Sequence, residues 1–287
     1  FAYFDTGLFK YLHFIKLCLI HFYCFVTNVL LIVVMHEQNL FMNELYGSTR
    51  VVSIPLIQIL SDIHTVSASF CFLQIYCLHS FACVEFLNLA VMSYDRYLAI
   101  CYPLHYNTCM TSNKIATLIA LIWLYPLLIN VIMTSLRSSL QLCGNIINKV
   151  YCDNFPIVKL ACSDTTIISI YGLIATFCTI CVPLMFIFFT YLKIFRICFS
   201  GSKQTRQKAV STCTPHLASI MNFSLGVSFE IVQSRFNMSR LPNMLRIFLS
   251  LYFLTCQPLF NPLMYGLNLS KIRVTCKSLI TNVQHSY

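Results

Sequence analysis

Three glutamates, Glu44, Glu85 and Glu230, fall inside long apolar stretches of a 287-residue chain that is 58% apolar and 10% charged. A carboxylate surrounded by hydrocarbon costs about 2.5–3.5 kcal/mol on insertion scales, so each needs a proton, a hydrogen-bond partner or a cation. Two such groups close together cannot both stay ionised without a positive charge between them. A second chemical feature is the pair Asp95-Arg96, which closes an apolar run; taken alone, it reads as an arginine at a membrane edge paired with the adjacent aspartate. Of sixteen cysteines, twelve lie in apolar runs or on the inner side, where cysteine acts as a small hydrophobe. The other four, Cys71, Cys143, Cys152 and Cys162, fall on the outer, oxidising side, and four cysteines allow three connectivities. No HExxH, GxSxG or paired-histidine spacing is present, so the sequence offers no enzyme chemistry. The net charge of +10 does not form a patch for nucleic acid, because the basic residues are dispersed between apolar runs.

The elements that position these residues follow from the missing charge. Soluble domains carry about 25% charged residues, so a chain with 10% needs a solvent other than water. Apolar runs occur near 11–35, 40–61, 70–95, 115–136, 165–195, 209–232 and 243–266. Each is long enough to cross a hydrocarbon core of about 30 Å as a helix, and none alternates as a barrel strand would. The fold class is therefore an all-α membrane protein, a seven-transmembrane-helix bundle, with a short amphipathic helix over 268–280 on the membrane surface. One seven-span domain covers 1–281, followed by a tail of 282–287. With the C-terminus cytoplasmic, ten basic residues fall inside and eight, among them Arg137, fall outside; Asp5, Asp62, Asp153 and Asp164 offset the outer set. The N-terminus is then extracellular, and the protein is expected in the plasma membrane. The chain opens Phe1-Ala2-Tyr3 without an initiator Met or a cleavable leader, which reads as a missing start with a first helix that stays in the membrane. No internal repeat supports a transporter.

The string Met92-Ser93-Tyr94-Asp95-Arg96-Tyr97-Leu98-Ala99-Ile100-Cys101, continuing to Tyr106, resembles the signature of odorant receptors in the G-protein-coupled family. Lys208-Ala209-Val210-Ser211-Thr212-Cys213-Thr214-Pro215-His216 is similar to that family's entry to the sixth helix, and Pro258 to Gly266, containing Asn261, Pro262 and Tyr265, to the end of its seventh. Pro183, Tyr191 and Thr27-Asn28-Val29 fit as well. The resemblance runs from about residue 3 to 281, and the wording of the second and third runs is most similar to fish odorant receptors. It implies a receptor that binds a small odorant in the outer half of the bundle and activates a heterotrimeric G protein at the cytoplasmic face. It further implies coupling roles for Asp95, Arg96, Tyr97, Tyr191, Lys208, His216, Asn261, Pro262 and Tyr265. Disulfides Cys71–Cys152 and Cys143–Cys162 are implied in the same way, as is a sodium site from Glu44, Glu85, Asn28 and Asn261, the one bound ion expected. By placement, the ligand residues are Leu78, His79, Ala82, Cys83, Phe86, Ala175, Thr179, Ser224 and Ile231, an apolar set with a few polar groups. Glu230, five residues before Arg235, reads as a rim salt bridge.

The chain departs from the family between the first two runs. Sixteen steps separate Asn28 from Glu44, whereas leaving the membrane midplane and returning takes roughly 24 residues at the helical rise. The family's Pro-Met-Tyr segment is absent, and Arg50 falls inside the second run. Two other readings follow: a non-functional or truncated receptor remnant, favoured by this deletion, and a membrane channel or transporter, for which pore-lining charge rows are lacking.

Overall fold

The computed structural model describes residues 65–147 and 151–235, with 42–43, 46–47, 245, 249–250 and 252 besides. Asn28, Glu44, Arg50, Asn261, Pro262 and Tyr265 lie outside the described residues, as does the side chain of Lys208, and so do the expectations placed on them.

Ser67 opens helix α1 (Ala68–Cys101), its hydroxyl accepting from the Phe70 amide at 3.3 Å. The helix ends where Pro103 cannot continue it. Its 34 residues span about 51 Å at 1.5 Å per residue, more than the hydrocarbon core. Both ends therefore reach polar surroundings, with Cys71 at one and Asp95-Arg96 at the other. A single turn over Pro103–His105 and helix α2 (Tyr106–Cys109) then lead to α3 (Ser112–Ser138), which is capped by Thr111. After the outer loop and its short helix α4 (Asn154–Lys159), α5 (Thr166–Thr176) runs through a wide turn over Phe177–Cys181 into α6 (Val182–Ser200). That widened turn precedes Pro183, whose ring lacks the donor an ordinary helix needs at that point. Helix α7 (Lys203–Arg235) carries Pro215 within it.

Helices α1, α3 and α7 overrun the apolar runs at both ends and the α5–α6 unit at its C-terminal end, because hydropathy reports the stretch in lipid while caps and basic residues carry the helix into water. Three of them, α1, α3 and the α5–α6 unit, are long and apolar enough to span a membrane. Helix α1 is central: 56% of its most apolar stretch is buried, against 17% for each of the other two, and it packs on α3, α6 and α7. On α3 the buried stripe is Ile122, Pro126, Asn130, Met133 and Arg137, while Leu121, Leu124, Leu128, Val131 and Ile132 are exposed. Polar groups turned inward and leucines outward invert the soluble pattern, as lipid requires. Among the described residues there is no strand beyond an isolated bridge between Leu142 and Ala161. Gly47, in the second apolar run, lies so close to α1 that a Cβ there would sit 2.5 Å from the Phe81 ring. Only glycine allows that approach.

Arg137 corrects the charge count. Placed with the outer loop charges by its position in the sequence, it is 1% exposed, and its Nε donates to Asn154 Oδ1 at 2.5 Å. Asp153 supplies the nearby negative charge, so this arginine fastens the outer loop and does not mark a solvated flank.

Candidate functional site: inner junction, buried carboxylate and outer lid

At the inner end, Asp95, Arg96 and Tyr97 occupy the last turns of α1. Side chains at consecutive helical positions do not face one another, and Asp95 takes its hydrogen bond from the Tyr106 hydroxyl at 2.5 Å. The turn at Pro103–His105 brings Tyr106 back to it. Lys114 Nζ donates to the Tyr94 hydroxyl at 3.0 Å, and Lys193 sits 5.6 Å from the centre of the Tyr97 ring. Deeper in, Tyr191 of α6 and His216 of α7 are both buried, and the Tyr191 hydroxyl meets His216 Nδ1 at 2.5 Å with the rings stacked. The Arg96 guanidinium is close enough to act electrostatically on Tyr191, Cys213 and His216. His216 Nε2 is buried with no hydrogen-bond partner among the described residues. Residues from α1, α6 and α7 thus converge on one point, and Pro215 lies beside it. Tyr106, the last tyrosine of the resembling string, is the member that sequence reasoning passed over.

Midway along α1, Glu85 is fully buried. Its partner is Asn43, whose amide donates to Glu85 Oε2 at 2.8 Å and to the Phe81 carbonyl at 3.3 Å. The family resemblance set Glu44 beside Glu85, and Glu44 lies outside the described residues. Asn43 is fully buried, while the preceding Met42 is 46% exposed. Asn43 Oδ1 is buried with no hydrogen-bond partner among the described residues. A carboxylate and an orphaned amide oxygen form a hard-oxygen donor set that suits a small cation.

At the outer end the structure pairs Cys71 with Cys152 and Cys143 with Cys162. The first bridge presses the loop onto the bundle, where Cys152 N donates to Gln74 Oε1 at 3.1 Å. Tyr151 is driven into the core beside Leu78, Phe81 and Phe223. Burial first, then the Glu230 and Asp153 carboxylates, raise its pKa well above the usual tyrosine value. Glu230 is itself buried beside Tyr151 and not at a solvated rim, while Arg235 stacks on Phe155. Asp153 caps α4 through the Asn154 amide and lies 3.6 Å from His79 Nε2.

Between lid and junction lie the ligand residues expected from the sequence. Leu78 and Phe86 are buried in the core with Ala82 packed against them, and Phe86 meets Phe223 with ring centres 4.8 Å apart. The Cys83 thiol faces Thr179 and Asn130, and the Thr179 hydroxyl donates to the Ala175 carbonyl at 2.7 Å. Ser224 Oγ is buried without a partner among the described residues. Ile231 is 43% exposed on the outside of α7 and does not join this group. Tyr151 does, which sequence placement could not reveal because it sits in a loop.

A family profile described as "Olfactory receptor" matches residues 17–283. Human olfactory receptor 10A6 is 33% identical over 237 residues, covering 82% of this chain and 74% of the relative. Mouse olfactory receptor 4E2 is 34% identical, covering 75% and 68%. Human olfactory receptor 11A1 is 30% identical over 295 residues, covering 97% of the chain and 92% of the relative. With its motifs, its helices and these relatives taken together, the chain belongs to the olfactory receptor family.

Proposed function

We propose that a small odorant binds between Leu78, Ala82, Cys83, Phe86, Thr179, Ser224 and Tyr151, and that the signal leaves through Arg96, Tyr191 and His216 to a heterotrimeric G protein α subunit. Family membership makes the chain an odorant receptor and a multi-pass plasma-membrane protein, not an enzyme. The observation that carries the finer reading is the inner junction, where α1, α6 and α7 meet at one tyrosine–histidine contact beside an arginine. A ligand that binds the outward-swung arrangement of α7 more tightly shifts the population by its differential affinity and no further. The N-terminus outside and the C-terminus inside agree with disulfides at one end of the bundle and Lys114, Lys193, Arg196, Lys203 and Arg206 at the other. In transfected cells, a chemically broad odorant panel raises cyclic AMP. A flat response from receptor present at the surface counts against the reading.

The sodium site belongs to the same proposal, with Asn43 beside Glu85 among the described residues; Glu44, Asn28 and Asn261 lie outside them. Glu85 and Asn43 would supply oxygens for the ion, whose chemistry would be to neutralise a buried carboxylate and favour the resting bundle. Replacing sodium by choline lowers the melting temperature of the purified receptor by several degrees, on the order of 1 kcal/mol. Glu85→Gln abolishes that dependence. A sodium dependence that survives in Glu85→Gln locates the ion elsewhere.

A further inference from the structure

The outer loop grips α7 along one short stretch of helix. Glu230 meets the Tyr151 hydroxyl, Ser234 Oγ donates to Asp153 Oδ2 at 2.6 Å, and the Arg235 guanidinium carbon lies 4.4 Å from the centre of the Phe155 ring. Positions 230 and 234 are one turn apart and share a helix face. Lys159 approaches the same Phe155 ring at 4.5 Å, so two cations engage it.

On its other side the same loop segment is held far more firmly. Cys152 is bonded covalently to Cys71 of α1, its amide donates to Gln74, Asp153 lies against His79, and Asn154 holds the buried Arg137 of α3. The loop is thus fixed to α1 and α3 by a disulfide and a buried guanidinium. Among the contacts that join it to α7 are a hydroxyl bond, a tyrosine–carboxylate contact and a cation–π stack. Contacts of these kinds are each weak enough to break on binding, and none of them requires the loop to leave α1.

We infer that Tyr151–Phe155 is a latch that restrains the outer end of α7 in the resting bundle, with Ser234 and Arg235 as its release points. This rests on the proposed reading of α7 as the helix that moves. Among the described residues the latch holds the outer end of the helix and the Tyr191–His216 contact its inner end, with Pro215 beside the second; Ser250 also bonds Gln233, and Tyr252 bonds Asn222. Loosening the outer hold lowers the cost of displacing the inner one. A ligand seated under Tyr151 would act on the latch directly.

The test is the full-length Ser234→Ala/Arg235→Ala receptor, with a genetically encoded fluorophore at the exposed inner position Arg206 to report displacement of α7. Removing both contacts shifts a minor active population by about tenfold. Basal second-messenger output per surface receptor rises by that order, the fluorophore signal changes without ligand, and Arg235→Lys, which keeps a cation over Phe155, stays near wild type. If the double variant is retained inside the cell, Ser234→Ala alone carries the test with about a threefold rise. An unchanged fluorophore in variants at the surface overturns the latch. A changed fluorophore with flat output supports the latch and counts instead against the G-protein reading.

Discussion

Arg96→Ala silences odorant-evoked second-messenger output while the receptor still reaches the cell surface. The guanidinium sits at the inner end of α1, where it acts on Tyr191, Cys213 and His216 from two other helices. If it also meets the G protein, truncating it removes a charged contact from that interface. Losing one side of a buried charged contact costs about 2–5 kcal/mol, at least about 30-fold in the coupling equilibrium. The fold should tolerate the change, because the apolar core that includes Phe86 and Leu89 lies further up α1, away from the charge. Arg96→Lys separates two explanations: a point charge that served only to hold the membrane edge would restore output, whereas a planar fork would not be replaced. Full output from Arg96→Ala would remove the arginine from the coupling mechanism.

Cys71→Ser and Cys152→Ser each remove most folded receptor from the surface, and the double variant is no worse than either single one. The bridge closes a sequence separation of 81 residues, for which chain entropy gives about 4–5 kcal/mol. That is an upper value, since helices remaining in lipid already restrict the unfolded chain. The loss is nevertheless severe, because the same bridge seats Tyr151 in the core and Asp153 against His79. The Cys143–Cys162 bridge closes only 19 residues, about 3 kcal/mol on the same estimate. It ties the loop to itself and to no helix, so Cys143→Ser is the milder change. Surface staining of epitope-tagged receptors, with and without permeabilisation, reads both. Equal loss from the two bridges would mean that the seating of Tyr151 contributes little.

The membrane helices were legible because lipid imposes one pattern over twenty residues at a time. The runs at 70–95 and 115–136 lie within described helices, the run at 165–195 matches the α5–α6 unit to one residue at its start, and Pro183 lies just after the irregular turn ahead of α6. The motif around Arg96 was legible for a different reason: its residue types are unusual for a membrane edge and occur in a fixed order. Three features escaped. Asn43, the hydrogen-bond partner of Glu85, is uncharged and carried no cue in the sequence. Arg137 looked like a loop cation, because nothing in its neighbourhood revealed that Asn154 would fold back over it. Tyr151, Asp153 and Phe155 belong to a loop, where periodicity carries no information and only tertiary contacts disclose a role. Even there a local cue existed. Asp153 before Asn154 is an ordinary helix cap, and its side chain does accept from the Asn154 amide.

The candidate site divides along the same line. Residues on α1 could be placed by counting from Cys71, since a straight helix preserves phase; Leu78 and Phe86 are accordingly in the core. Ile231 is four residues from Val227, a buried position, and one from Glu230, also buried, yet it is turned outward. On α7 the buried positions Ala209, Cys213, His216, Ile220, Phe223, Val227 and Glu230 keep one phase across Pro215, and Ile231 falls beside that stripe.

Every functional statement depends on which side of the membrane each end of the bundle occupies. An epitope inserted between Asn145 and Ile146, in the loop joined by the disulfides, and another between Gly201 and Ser202, between α6 and α7, measure this directly. Intact cells should stain for the first, and only permeabilised cells for the second. Staining of the second on intact cells would put Arg96 outside, where no G protein could meet it, and would contradict the account.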